Sequence, residues 1–229
     1  GEPIHYRAAS SDANHGERGL LLDTARTIRT LVTARGVLGP DAVSEAAGGG
    51  NGPGSGPVAT ARELADTAIE ERRPGKTFVD GPGSGAGLLD RPLRPLDANV
   101  ELAGALLDLA ELTGEDRYRA IARDTAEAFA GAHERFGPQA AAFGTVAGRL
   151  LRGTVRIDLT APVGSDLHRA ALRLADHESI VVPAIGDSAE PIERANDFES
   201  DAAYVVAEGD RSPPAFHPEE LSERVAEQL

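Results

Sequence analysis

The sequence predicts a mainly α protein, a run of antiparallel helical hairpins followed by a small α/β subdomain, and three observations carry that prediction. Apolar residues recur at three- and four-residue spacing through most of residues 1–152, the pattern that lines one face of a helix. Thr113-Gly114-Glu115-Asp116 separates two such stripes and leaves room only for a tight turn. After Gly153 the period drops to two, with Val155, Ile157 and Leu159 alternating with Arg156 and Asp158. The expected division is therefore 1–152 for the helical region and 153–229 for the α/β subdomain.

The stretch from Phe78 to Ala130 organises the helical region. A Gly/Pro-rich loop feeds Val100 to Leu112, where Val100, Ala103, Leu106, Leu107 and Ala110 form a buried stripe. Gly114 stands where a helix C-terminus favours a left-handed residue, and Glu115 or Asp116 supplies the carboxylate that favours a new helix start. Arg117 to Ala130 continues the pattern through Tyr118, Ile121, Ala122, Thr125 and Phe129, so the two helices fold back as a hairpin.

Taken in order, Gly1 to Ser11 reads as a short strand or hairpin arm through Ile4 and Tyr6, ahead of a polar loop at Ser10 to Gly19. Leu20 to Leu38 is an amphipathic helix that Gly39-Pro40 ends. Residues 48–57 are almost pure glycine, serine and proline, a flexible insert with nothing to pack. Val58 to Glu71 forms the next helix, stopped by Pro74-Gly75, and Pro138 to Arg152 another, whose small residues suit a close helix approach. In the second part, a strand at Thr154 to Leu159, a helix from Leu167 to Asp176 capped by Ser165-Asp166, and a strand at Ile180 to Val182 make a βαβ-like unit with a parallel pair. Ile185 to Asp201 reads as loop, Ala203 to Ala207 as a third strand, and Pro218 to Leu229 as a terminal helix.

Composition narrows the partners. The chain has 229 residues, 37 acidic against 23 basic, and a formal charge of −14; Lys76 is its single lysine. Such a surface repels nucleic acid and anionic membranes, and suits a protein adapted to high salt, where carboxylate repulsion is screened. No window approaches the ~18 apolar residues of a membrane span and no leader pattern is present, which gives the expectation of a soluble, cytoplasmic protein. The absence of cysteine removes disulfides, thiolate nucleophiles and Cys-ligated metals, and leaves the redox compartment unread.

Familiar motifs fail on their context. Gly75-Lys76-Thr77 lacks the first glycine of a phosphate loop, since Glu70 stands there, and it follows a helix instead of a strand. The glycines at 81, 83, 85 and 87 resemble a dinucleotide loop in content alone, because Pro92 and Pro95 interrupt the helix that should follow. The six histidines show no metal-binding spacing, His168 and His177 read as surface or capping groups, and neither Ser84 nor Ser165 occupies a nucleophile elbow. No metal or cofactor is expected. What remains is a polar set at the hairpin entrance: Asp80, Arg91, Arg94, Asp97 and Asn99. Guanidinium forks, carboxylates and an amide together suit a small polar or sugar-like ligand. In the plainer reading Asp97 caps the helix, the arginines pair with acidic neighbours, and Asp80 sits in a turn.

Phe78-Val79-Asp80-Gly81-Pro82, Arg91-Pro92 with Arg94-Pro95, Asn99, the run from Leu109 to Arg119, Ala128-Phe129, Ala203 to Val206, and Pro218 to Leu221 follow one another along the chain. In that order they resemble the C-terminal half of the thioredoxin-domain-containing family also known as DUF255, to which the spermatogenesis-associated protein 20 group belongs. The family's Pro-Ser-Gly-Asn-Ser-like approach to the helix is here Leu96-Asp97-Ala98-Asn99-Val100, with Asn99 kept. High acidity with one lysine points to a haloarchaeal branch. The resemblance implies an upstream thioredoxin-like domain as partner, followed by an (α/α)6 toroid similar to six-hairpin glycosidases, of which this chain would hold the last hairpins. It also implies a redox motif outside this chain. The leading expectation, carried by the loop from Asp80 to Asn99, is binding of a small polar, carbohydrate-like ligand at the toroid mouth; the alternative is a non-catalytic helical scaffold for the upstream domain or a protein client.

Overall fold

The computed structural model describes residues 4–5, 17–18, 20–46, 56–80, 93–131, 137–176, 178–183 and 198–228. Among them are seven α-helices and six short strands. The glycine-rich insert from 48 to 55, the glycine run from 81 to 87, Arg91, His177 and most of the loop after Ile185 lie outside the described residues.

Ile4–His5 (β1) pairs antiparallel with Glu17–Arg18 (β2); the strand at Ile4 is as expected, whereas β2 falls in the stretch read as a polar loop. Leu21–Ala46 (α1) buries Leu21, Ala25, Ile28 and Val32 along one face. Sequence pattern ends this helix at Gly39-Pro40; the backbone does break at Gly39 (φ 77°), but helical bonding resumes from Pro40, whose missing N–H costs nothing in a first turn. Pro57–Arg72 (α2) packs Ala61, Leu64, Ala65 and Ala68 inward.

Leu96–Thr113 (α3) is buried on nearly every side and begins four residues before the expected Val100. Pro95 occupies its N-cap position, so the proline read as a helix breaker instead opens the helix. Gly114, left-handed at φ 70°, closes α3 by donating its N–H to the Ala110 carbonyl. Asp116–Ala128 (α4) then returns against α3, as the tight turn predicts. A 3-10 turn at Gly137–Ala140 leads into Ala141–Arg152 (α5), which crosses both α3 and α4. The glycines of α5 do not mark that crossing: a Cβ on Gly144 would meet open space and one on Gly148 would meet the Arg152 side chain. The small residue at the contact is Gly104 of α3, whose Cβ position lies 3.7 Å from Val146.

Val155–Leu159 (β3), Asp166–Leu174 (α6) and Ser179–Pro183 (β4) form the βαβ unit, with β3 and β4 parallel. Ala203–Ala207 (β5) adds antiparallel to β3, Asp210–Arg211 (β6) antiparallel to β5, and the sheet order is β4-β3-β5-β6. Pro218–Ala226 (α7) packs beside α6. Ile157, Leu159, Val181, Ala203 and Val205 share one core with Leu167, Ala171, Leu221 and Val225 from those two helices. On β4 the intervening residues Ile180 and Val182 join Val32 of α1 and Leu112 of α3.

The helical region and the α/β unit are therefore joined through α1. Gly36 lies so close to β4 that a Cβ would stand 2.9 Å from the Val181 carbonyl oxygen. Arg35 donates to the Pro183 carbonyl at 3.1 Å. His168 of α6 is not a surface group: it is 2 % exposed, its Nδ1 accepts from the Gly164 N–H at 2.9 Å, and its Nε2 lies 2.9 Å from the Gly36 carbonyl. With Nδ1 accepting, Nε2 carries the proton and donates to Gly36.

Candidate functional site

The polar set at the hairpin entrance surrounds the extended stretch 77–80, which runs between the end of α2 and the start of α3. Asn99 is fully buried in the first turns of α3 and its amide clasps Phe78 as a neighbouring strand would. Its Oδ1 accepts from the Phe78 N–H at 2.7 Å, and its Nδ2 donates to the Phe78 carbonyl at 3.0 Å and to the Pro95 carbonyl at 2.8 Å. An uncharged amide offers both functions at once, which an ionised carboxylate does not.

Asp80 faces the other way, toward α1. Its Oδ1 and its carbonyl oxygen both accept from the Leu21 N–H, at 3.2 and 3.1 Å, which satisfies one of the open donors at that helix start. Its N–H donates to Leu93, and its carbonyl also receives Arg72 Nη1 at 3.0 Å. Val79 donates to the Arg72 carbonyl. Arg94 is exposed and donates through Nη1 to the Thr77 hydroxyl at 3.0 Å. Asp97 is exposed in the first turn of α3, where a carboxylate complements the helix dipole, and it does not act as the N-cap. Thus Asp80, Arg94 and Asn99 converge on one loop, and their bonds are directed into the protein. They pin α1, α2 and α3 together at that loop.

A second polar constellation lies deeper, on α1, α3 and α5, and the sequence reading did not single it out. Asp108 of α3 is 6 % exposed and holds two guanidinium groups, Arg149 Nη2 at 2.6 Å from Oδ1 and Arg29 Nε at 3.3 Å from Oδ2. Arg29 Nη1 also bonds Glu101 at 3.1 Å, and Arg149 Nε donates to the Thr154 hydroxyl at 3.2 Å. Burial disfavours the Arg29 charge, but Asp108 and Glu101 more than compensate, and its pKa lies above the ordinary value. Two cations and two carboxylates balance, as buried charges must. One signal in the sequence pointed here: Asp108 interrupts the otherwise apolar run from Leu102 to Ala110.

Elsewhere, Asp158 of β3 is fully buried and receives a two-pronged bond from Arg156, at 2.7 and 2.9 Å; burial still pushes its carboxyl up, with Arg156 opposing. No group of three or more His, Cys, Asp and Glu residues among the described residues is placed to hold a metal ion. No described helix is long and apolar enough to cross a membrane. No protein-family description, curated protein or solved structure matches the chain.

Proposed function

We propose that the chain is the C-terminal part of a thioredoxin-domain-containing protein of the DUF255 type, in which its hairpins belong to an (α/α)6 toroid and serve as a non-catalytic scaffold. The observation that supports this most directly is the direction of bonding at the hairpin entrance. Asn99, Asp80 and Arg94 bond backbone groups and the Thr77 hydroxyl, so the polar residues best suited to a ligand act as internal fastenings. The continuity of α1 from the helical core to β4 adds to it, since a support must transmit position from one end to the other.

A scaffold needs contact surface. Leu151 is 87 % exposed at the end of α5, and Val37, Leu38 and Val163 are each more than 40 % exposed near the α1 break. These side chains are the ones that contact with an upstream thioredoxin-like domain or a protein client would cover. The test is affinity capture with the full polypeptide carrying that domain. Leu151→Ser and Val37→Ser reduce client capture or loosen the upstream domain, measured by its thermal midpoint, whereas Asp97→Ala leaves both unchanged. Identical behaviour of all three variants and the parent overturns the reading.

A further inference from the structure

Between α1, α3 and α5 a cleft of about 170 Å3 opens beside the buried charge network. Val100 and Val146 form apolar parts of its lining, and Arg29, Glu101, Thr145 and Arg149 the polar parts. Gly104 keeps the lining wide where a side chain would narrow it. We propose that this cleft is a binding site for a small zwitterion of the α-amino acid type.

The polar atoms of these four residues are not all committed. Arg149 is 2 % exposed; its Nε and Nη2 are held by Thr154 and Asp108, and Nη1 has no partner among the described residues. Among the described residues Arg29 bonds through Nε and Nη1, which leaves Nη2, and Glu101 uses Oε1 alone, which leaves Oε2. Thr145 adds a hydroxyl. Five of the nine helical threonines, at 24, 27, 30, 113 and 125, donate back to the carbonyl four residues earlier; Thr145 is one of the four that do not, and the one of them that lines the cleft. The lining residues therefore carry two guanidinium nitrogens, one hydroxyl and one carboxylate oxygen that make no hydrogen bond among the described residues.

That set fixes the chemistry of the occupant. Guanidinium donors call for a carboxylate, and the Glu101 oxygen calls for a cationic donor. Arg29, Arg149, Glu101 and the adjoining Asp108 together sum to zero, so an occupant of zero net charge preserves the balance, and a chain of formal charge −14 does not repel it. A free anion meets that repulsion. The volume holds about six water-sized units, which fits a three-carbon amino acid with its methyl group on Val100 and Val146.

The experiment is ligand-observed NMR and calorimetry on the intact chain, with L-alanine as probe. Lactate replaces the ammonium by a hydroxyl, and alaninamide removes the carboxylate. Saturable alanine binding, at least tenfold weaker for either analogue, supports the site. Thr145→Val keeps the side-chain shape and lowers alanine affinity about fivefold, and Glu101→Gln lowers it about tenfold, with far-UV circular dichroism unchanged. Thr145→Val alone suffices for this arm where Glu101→Gln fails to fold. Absence of saturable alanine binding, equal binding of lactate or alaninamide, or parental affinity in Thr145→Val overturns the proposal.

Discussion

Replacing Asn99 tests the account of the hairpin entrance most sharply. Asn99→Ala removes three hydrogen bonds, but the Pro95 carbonyl keeps the Asn99 backbone N–H as a partner. The loss falls on the N–H and C=O of Phe78, a residue with no exposed surface. Each buried group left without a partner costs about 1–3 kcal/mol, giving about 2–6 kcal/mol in all. Alanine's better helix propensity returns about 0.6 kcal/mol, and water entering the gap lowers the cost further. A loss of about 3 kcal/mol is the expected result, a large share of a typical 5–15 kcal/mol.

The assay is urea denaturation at fixed salt, followed by far-UV circular dichroism, with the midpoint shifting at constant slope. Asn99→Asp adds a second, independent readout. Its oxygen still accepts from Phe78, but an ionised carboxylate cannot donate to the Phe78 carbonyl and places charge in an apolar site. The protonated form can donate, so the folded-state pKa rises above the unfolded value. Stability relative to the parent is then greatest below about pH 4 and is lost as pH rises through the folded-state pKa. Asn99→Ala within about 0.5 kcal/mol of the parent, or an Asn99→Asp difference that is flat between pH 4 and 7, would refute the clasp.

At the buried network, Asp108→Asn leaves Arg149 and Arg29 short of a counter-charge and costs about 3–5 kcal/mol by the same denaturation assay, while Asp108→Leu with Arg149→Met comes within about 1 kcal/mol of the parent. Gly36→Ala forces a Cβ to 2.9 Å from a backbone oxygen and destabilises by about 1–3 kcal/mol, whereas Gly144→Ala, inside α5 and facing open space, stabilises by up to about 1 kcal/mol; equal effects would remove the α1–β4 contact from the argument. Burial sets the Asp158 carboxyl above the ordinary 3.8, so its favourable contribution is present in acid and lost as pH rises through the folded-state value. A carbon-13 NMR titration midpoint below 3.8 would show the Arg156 fork outweighing burial. With formal charge −14, folding should strengthen with salt, and full helicity in dilute buffer would contradict that.

The hairpin of α3 and α4 was legible because its cause is local: Gly114 alone among its neighbours relieves the left-handed cap. Strand β3 was legible for the same reason, since alternation is a property of five adjacent residues, whereas β2 and β6 have two residues each and are too short to show a period. Pro95 misled because a proline removes a donor in a helix interior and removes nothing at a helix start, and spacing does not say which applies. His168 reads as a surface or capping group because nothing in its own segment announces Gly36, 132 positions earlier, as its partner; its Nδ1 does hold the Gly164 N–H beside the helix start.

The polar residues of α3 show why a stripe of apolar positions is an incomplete reading. Treated as an amphipathic helix, α3 leaves its polar side chains to solvent, and Asp108 becomes unremarked surface. The helix is in fact buried on nearly all sides, so a polar residue within it must have a partner on some neighbouring element. Asn99 therefore points to the extended stretch, 21 positions away, and Asp108 to α5, 41 positions away. Glu101 points to α1, 72 positions away. Each separation is too long for periodicity to predict. In a helix with so little solvent face, its buried polar residues show where its neighbours lie, and among these three the sequence pattern singles out only Asn99.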